Sequence, residues 1–359
     1  MQKQKKVSLR LVSALLVVVL MFSLTACGKT EPPAAETAPA TETAPTAPDY
    51  GDFSFVYGSV GNESEAGFRA VKKLMDYMTE KSDGHIQCQA FPNGALGNDR
   101  EQLEAVQMGQ QTMVGSGLTQ VSNFIPALAT LDLPFAFSDS SVIQAVIDDP
   151  EYLAYIRELA AEAGFYVGGI SLMGFRTMTS NVKITCMDDM KGLKMRCMDA
   201  PTSVNLWTAL GTNATPISFT ELYTSLQQGV VDAQENPISL INSSKFYEQQ
   251  KYVINTNHQV MPIFWICNLD WYNSLPDEYK AYFDEGCKIL TDYHASECEA
   301  EEAAFLQNWI EGGIEYIELT DEARAEMKEA ALTVWPAIAE KYPEAYQKLQ
   351  ECLERVGAA

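Results

Sequence analysis

Apolar and polar positions past residue 50 repeat in two alternating rhythms. Residues 53–60 (FSFVYGSV) alternate one by one and are aromatic and β-branched, which predicts a half-buried strand. Over 62–81 the apolar positions Phe68, Val71, Leu74, Met75 and Met78 return at helical spacing. A strand follows at 86–91, broken by Pro92-Asn93-Gly94, then a helix over 99–108 and a short strand at 112–114. Residues 131–135 (LDLPF) fall in an apolar loop, and 139–163 form one or two helices interrupted at Pro150. Strands are predicted at 165–172, 175–179, 193–197, 230–233, 251–255 and 262–268. Between them, Pro201 opens a helix to 210, and Ser218-Phe219-Thr220-Glu221 forms a capping box that starts a helix through 228.

From Pro276 to Glu311 only Gly286 interrupts the helical pattern. A helix of that length is about 50 Å long, enough to lie across two small domains. The remainder, 321–355, is helical with breaks at Pro336 and Pro343. Strands alternating with helices predict an α/β architecture with mostly parallel sheets. Two such domains leave a cleft, the usual place for a ligand. The expected partition puts 50–173 with 262–301 in a first domain, and 174–261 with 302–359 in a second.

The first 49 residues follow neither rhythm. A basic start (Lys3, Lys5, Lys6, Arg10), an apolar run from Leu11 to Phe22 and the small residues before Cys27 make an export signal over 1–26. The run is shorter than the ~20 residues a membrane span needs. Leu24-Thr25-Ala26-Cys27 resembles a bacterial lipobox, which implies a diacylglycerol on Cys27. Residues 28–49, rich in Pro, Thr, Ala and Glu, bury nothing and make a disordered tether reaching roughly 70 Å. The expectation is an exported protein held by a lipid on the outer face of the cytoplasmic membrane, periplasmic in a diderm cell.

Charge narrows the partners. The chain carries 25 basic and 48 acidic residues, net −23. Loss of 1–26, with four basic and no acidic side chains, takes it to −27. Such a surface excludes nucleic acid, which needs clustered Lys and Arg, and disfavours anionic headgroups. Setting Cys27 aside, the seven cysteines show no metal-ligand spacing and sit mostly in apolar contexts, as small buried hydrophobes do. No metal or cofactor is implied.

Catalytic constellations are thin. The three histidines are scattered, and neither a G-x-S-x-G elbow nor an H-E-x-x-H helix is present. Two of the eight arginines, Arg176 and Arg196, lie inside strand-like apolar runs. A buried guanidinium needs a partner, and a carboxylate fits its planar fork. That carboxylate is either an internal Asp or Glu, or a ligand's.

Several stretches occur together and in order: Phe91-Pro92-Asn93-Gly94-Ala95-Leu96-Gly97-Asn98-Asp99; Leu133-Pro134-Phe135; Met190-Lys191-Gly192-Leu193-Lys194-Met195-Arg196; Phe219 to Gln227 (FTELYTSLQ); Val231 to Pro237 (VDAQENP); Lys245-Phe246-Tyr247-Glu248; and Thr256-Asn257-His258. Over 53–346 the chain thereby resembles the substrate-binding subunit of TRAP transporters, the DctP-type receptors for organic acids.

The resemblance implies a two-domain periplasmic-binding-protein-like fold with an interdomain cleft, crossing strands and a long helix spanning both domains. It implies that Arg196 forms a bidentate pair with the ligand carboxylate and that Arg176 is a second cationic contact. Asn236 would present its side-chain amide to the carboxylate or to Arg196. Phe219 would wall the pocket, core packing being its other reading. The partners would be a small carboxylate and a sodium-coupled TRAP permease, with no bond chemistry in the receptor. Val60 and Gly117 stand where sialic-acid-binding members carry a polar and an acidic side chain. With Met173, Phe175, Met178 and Trp265 nearby, this points to a smaller or more apolar carboxylate. A receptor serving an ABC importer or a sensor, and a hydrolase on the same scaffold, are the alternatives.

Overall fold

The computed structural model describes residues 50–137 and 139–358; the export signal, Cys27 and the tether lie outside them. Among the described residues eleven strands are found: β1 (Phe53–Gly58), β2 (Ile86–Phe91), β3 (Met113–Gly117), β4 (Phe165–Phe175), β5 (Thr177–Ser180), β6 (Lys194–Cys197), β7 (Asn213–Pro216), β8 (Ala233–Asn236), β9 (Tyr252–Asn255), β10 (Val260–Asn268) and β11 (Glu315–Glu318). They build two sheets, ordered β2-β1-β3-β10-β4 and β11-β9-β5-β8-β6-β7. Each sheet carries its own hydrophobic clusters, so the molecule has two lobes.

Both sheets are mixed rather than mostly parallel. β1 runs parallel to β2 and β3, but β10 runs antiparallel to β3 and β4. In the second sheet β5 is antiparallel to β8 and β9, while β6 and β9 have parallel neighbours β7, β8 and β11. The cause is the crossing. β4 passes into β5 through Arg176 alone, and β9 returns to β10, so the chain leaves and re-enters the first sheet along one seam, where it runs against itself. The expected break at residues 173–174 is therefore absent, and β4 is continuous to Phe175.

The helix Asp277–Glu311 makes the third crossing. Its Phe283, Cys287 and Leu290 pack in the first lobe with Leu74 and Met78. Its Trp309 packs in the second with Leu222, Leu226 and Phe246. The final helix, Pro343–Arg355, departs from the expected partition of 302–359. Its Leu349, Cys352 and Leu353 bury beside Val146 and Ile156 of the first lobe.

Local chemistry explains the other departures. The first helix starts at Ala66, not at residue 62. Asn62 Oδ1 accepts from Ser64 N at 2.9 Å, an Asx turn that competes with helix. At residue 218 the capping box does not close: Ser218 Oγ bonds Glu221 Oε2 at 2.8 Å instead of a backbone N–H. A capping box does form at Asn98–Glu101, with Glu101 N to Asn98 Oδ1 at 3.0 Å and Asn98 N to Glu101 Oε2 at 2.8 Å. The strand expected at 230–233 lies three residues later, at β8, and ends where Pro237 lacks an N–H. All seven cysteines beyond Cys27 are free thiols, five of them buried. Among the described residues no helix is long and apolar enough to cross a membrane, and no group of His, Cys, Asp or Glu is arranged to hold a metal ion.

Candidate functional site

A cavity of about 60 Å3 lies where the lobes meet. The first lobe contributes Tyr57, Glu65, Asp99, Gly115 and Trp265; the second contributes Arg196, Phe219 and Asn236. Strand order explains the convergence. Tyr57 is on β1, Gly115 on β3 and Trp265 on β10, which are adjacent in the first sheet; Arg196 on β6 neighbours Asn236 on β8 in the second.

Trp265 covers Gly115, its register partner: a Cβ at Gly115 would lie 2.4 Å from the indole. The indole is fixed from behind by Nε1 donating to Ser171 Oγ at 2.8 Å, with Ser171 in turn 2.8 Å from His294 Nδ1. Burial, helped by the Arg69 charge, pushes the His294 imidazole down to about 3, so it is a neutral packing element.

Arg196 is 2% exposed. Its Nε donates to the Ile217 carbonyl at 3.0 Å, but Nη1, fully buried, has no hydrogen-bond partner among the described residues. Burial lowers its guanidinium to about 10; Glu235 opposes that shift and Arg176 adds to it. At that value it stays charged at neutral pH. The structure thus holds a desolvated cation with part of its fork unused, at the wall of a cavity.

Arg176 behaves differently. It is 1% exposed and is not among the cavity-lining residues. Its Nε pairs with Glu235 Oε2, and its Nη2 reaches Glu235 Oε1 at 3.1 Å and Asn236 Oδ1 at 3.0 Å. The fork expected on a ligand is spent on an internal carboxylate. Burial alone would raise the Glu235 carboxyl, yet Arg176 and His258, whose Nε2 lies at 3.3 Å, outweigh it and hold it at about 2.

Asn236 lines the cavity with its amide already oriented: Oδ1 accepts from Arg176, and Nδ2 donates to Gln234 Oε1 at 2.7 Å. Phe219 lines it too, packing edge-on to Phe246 with ring centroids 5.4 Å apart. The Phe219 ring packs against clusters of both lobes.

Val60 and Gly117 are cavity residues, and the space Gly117 leaves is filled by Met261, whose methyl would lie 2.8 Å from a Cβ there. Met173 and Trp265 line the cavity, while Phe175 and Met178 pack in the cores of the first and second lobes. The sequence reading missed Glu65, Asp99, Tyr57 and Met261 as cavity residues. Asp99 sat inside a quoted motif, directly after the cap at Asn98. Glu65 carried no signal beyond the glycines at positions 61 and 67 on either side.

The model of bacterial extracellular solute-binding proteins, family 7 (DctP), matches residues 57–342. A solute-binding protein of Verminephrobacter eiseniae is 31% identical over 256 residues, 71% of this chain and 76% of its own. The C4-dicarboxylate-binding periplasmic protein DctP of Rhodobacter capsulatus is 28% identical over 76% of this chain and 82% of its own. Among solved structures, the sugar acid binding protein DctPAm from Advenella mimigardefordensis, in complex with galactonate, superposes with a TM-score of 0.81 at 25% identity, covering 85% of this chain and 99% of that one. A TRAP periplasmic solute binding protein from Desulfovibrio salexigens with bound orotic acid gives 0.79 at 26% identity, covering 85% and 100%. With two mixed sheets joined by crossing strands and a cavity at their junction, the chain belongs to the DctP family of extracellular solute-binding proteins.

Proposed function

We propose that this protein is an extracytoplasmic receptor that captures an organic acid between its lobes and delivers it to a TRAP-type permease. The observation that carries the reading is Arg196: charged, 2% exposed, and facing the cavity with its Nη1 unpartnered. A carboxylate supplies the missing acceptors in one bidentate contact. Relatives bind acids of this chemistry, among them galactonate and orotic acid. Arg176 supports the site from behind. Its bonds to Glu235 and Asn236 keep Glu235 from pairing with Arg196 and set the Asn236 amide.

The receptor performs no bond chemistry. Capture is hinge closure, stabilised when the ligand bridges the two lobes. Met173, Met261 and Trp265 in the cavity lining favour a compact, partly apolar acid. Attachment through a lipid on Cys27, with 28–49 as the spacer, belongs to this proposal and rests on the sequence. A Cys27→Ser chain should be exported yet recovered free of the membrane, as followed by fractionation; membrane retention in that variant defeats the anchor.

Calorimetry with a binding acid tests the clamp. Arg196→Ala should abolish binding, and Arg196→Lys should weaken it at least tenfold, since Lys lacks the planar fork. In a thermal-shift screen, an acid at 100 times its Kd should add about 2.7 kcal/mol, whereas its uncharged amide should add nothing. Unchanged affinity in Arg196→Ala overturns the assignment.

A further inference from the structure

A carboxylate on Arg196 leaves two cavity side chains without a role. Glu65 and Asp99 line the same cavity. Glu65 precedes the helix Ala66–Lys81, and Asp99 begins the helix Asp99–Gln107. Each helix N-terminus favours a negative charge, which accounts for an acid there but not for two acids opening onto one cavity. No hydrogen bond to the Glu65 carboxylate is found among the described residues. Arg69, on the next turn, is held by Glu297 at 2.8 Å and Glu301 at 2.6 Å instead. The backbone makes room for Glu65: a Cβ at Gly61 would fall 1.4 Å from its Oε2, and one at Gly67 would fall 3.3 Å from its Oε1.

The charges do not balance for a simple acid. Arg196 stands against two carboxylates. A ligand carboxylate cancels Arg196 and leaves Glu65 and Asp99, both half-buried, facing the cavity with no cation opposite them. Burial, and then the Asp99 charge, push the Glu65 carboxyl up to about 7, against the pull of Arg69. Burial raises Asp99 as well, and Arg196 opposes it. A ligand hydroxyl offers these acids a hydrogen bond but no charge. A protonated amine offers both.

We propose that the ligand is a small zwitterion, an amino acid whose carboxylate pairs with Arg196 and whose ammonium pairs with Glu65, with Asp99 adding to the negative end. The inference rests on the Arg196 reading above and narrows it to amine-bearing acids. It also sets a pH dependence. Glu65 is faced by Asp99, by Arg69 on its own helix, by Tyr57 on β1, and by His294 and Cys298 on the long helix. His294 is neutral and Arg69 is paired, so deprotonation of Glu65 is the step that strengthens the ammonium contact. Affinity for the amino acid rises with pH up to about 7, with a proton released on binding.

The test is calorimetry of the purified protein against matched sets: alanine, lactate and propionate; β-alanine and 3-hydroxypropionate; 4-aminobutyrate, 4-hydroxybutyrate and butyrate; valine, 2-hydroxyisovalerate and isovalerate. In one set the amine should bind at least tenfold more tightly than its partners. Glu65→Gln should erase that advantage while leaving the partners' affinity in place, and Arg196→Ala should remove binding of all members. A hydroxy or unsubstituted acid that binds as tightly as its amine, and is still lost in Arg196→Ala, overturns the zwitterion and leaves the carboxylate receptor standing. Binding that survives Arg196→Ala defeats the carboxylate reading itself. A panel in which no amine binds counts against the zwitterion. If Glu65→Gln does not fold, the wild-type comparison decides, joined by proton release at about pH 6, expected for the amine and absent for its hydroxy partner.

Discussion

Two buried arginines, Arg176 between β4 and β5 and Arg196 on β6, carry opposite physics. Arg176 has a carboxylate, and Arg196 has none among its hydrogen-bond partners. Removing one member of a buried pair strands the other charge and costs about 3–5 kcal/mol. Arg176→Met should therefore lower the urea midpoint strongly, by leaving Glu235 uncompensated. Arg196→Met removes an unpaired desolvated charge and should leave stability unchanged or raise it, while binding is lost. Equal destabilisation by the two variants would mean that Arg196 is structural. From the sequence, both arginines stood out because each interrupts an apolar run. Which one was free was not legible. The deciding partner, Glu235, lay just beyond a strand placed at 230–233 rather than at β8, so its direction was unknown. Glu65 was hidden more deeply, as one acid among the polar positions of a predicted helix.

Long elements were legible because their periodicity accumulates over many turns. The helix over 276–311 is present as Asp277–Glu311. Short elements such as β7, β11 and the helices Ile238–Ser243 and Leu269–Ser274 carry four to six residues each, too few for a period to show. The one interruption in the long helix turns out to be a place of close packing. A Cβ at Gly286 would lie 2.5 Å from Leu74 Cδ1 and 3.4 Å from the Tyr77 ring. Glycine costs about 1 kcal/mol in a helix interior, and here it allows the helix Ala66–Lys81 to pack close. Gly286→Val should destabilise by about 1–3 kcal/mol through overpacking. Thermal denaturation measures it, and a neutral or stabilising result would show that Leu74 yields freely.

At the scale of the whole molecule, the seam where the chain crosses between lobes concentrates buried acids, and this sets how stability follows pH. Asp132 accepts from Thr119 Oγ1 at 3.0 Å and Gln259 Nε2 at 2.7 Å, and from Thr202 Oγ1 of the second lobe at 3.4 Å. Burial pushes its carboxyl up to about 7, against the hydrogen bond from Thr119 and the charge of Arg176. Glu65 is raised to a similar value. An unfolded carboxyl titrates near about 4. Between about pH 4 and pH 7 the folded chain therefore holds protons that the unfolded chain has released, and stability falls as pH rises across that window. Each group contributes a slope of at most about 1.4 kcal/mol per pH unit. Glu235, held at about 2, acts only at lower pH: its stabilisation is present above the unfolded value and lost as pH falls towards 2. The ligand-free protein should then melt several degrees higher at about pH 5.5 than at about pH 7.5. Self-repulsion of a chain with net charge −23 acts in the same direction, so the wild type alone does not isolate the seam. Asp132→Asn does, because it removes one titrating group while keeping the shape. Its melting temperature should vary less steeply with pH, and it should equal or exceed the wild type near neutrality. A wild-type midpoint that is flat or rises over this range, or an Asp132→Asn slope identical to wild type, would mean that the buried seam is already ionised.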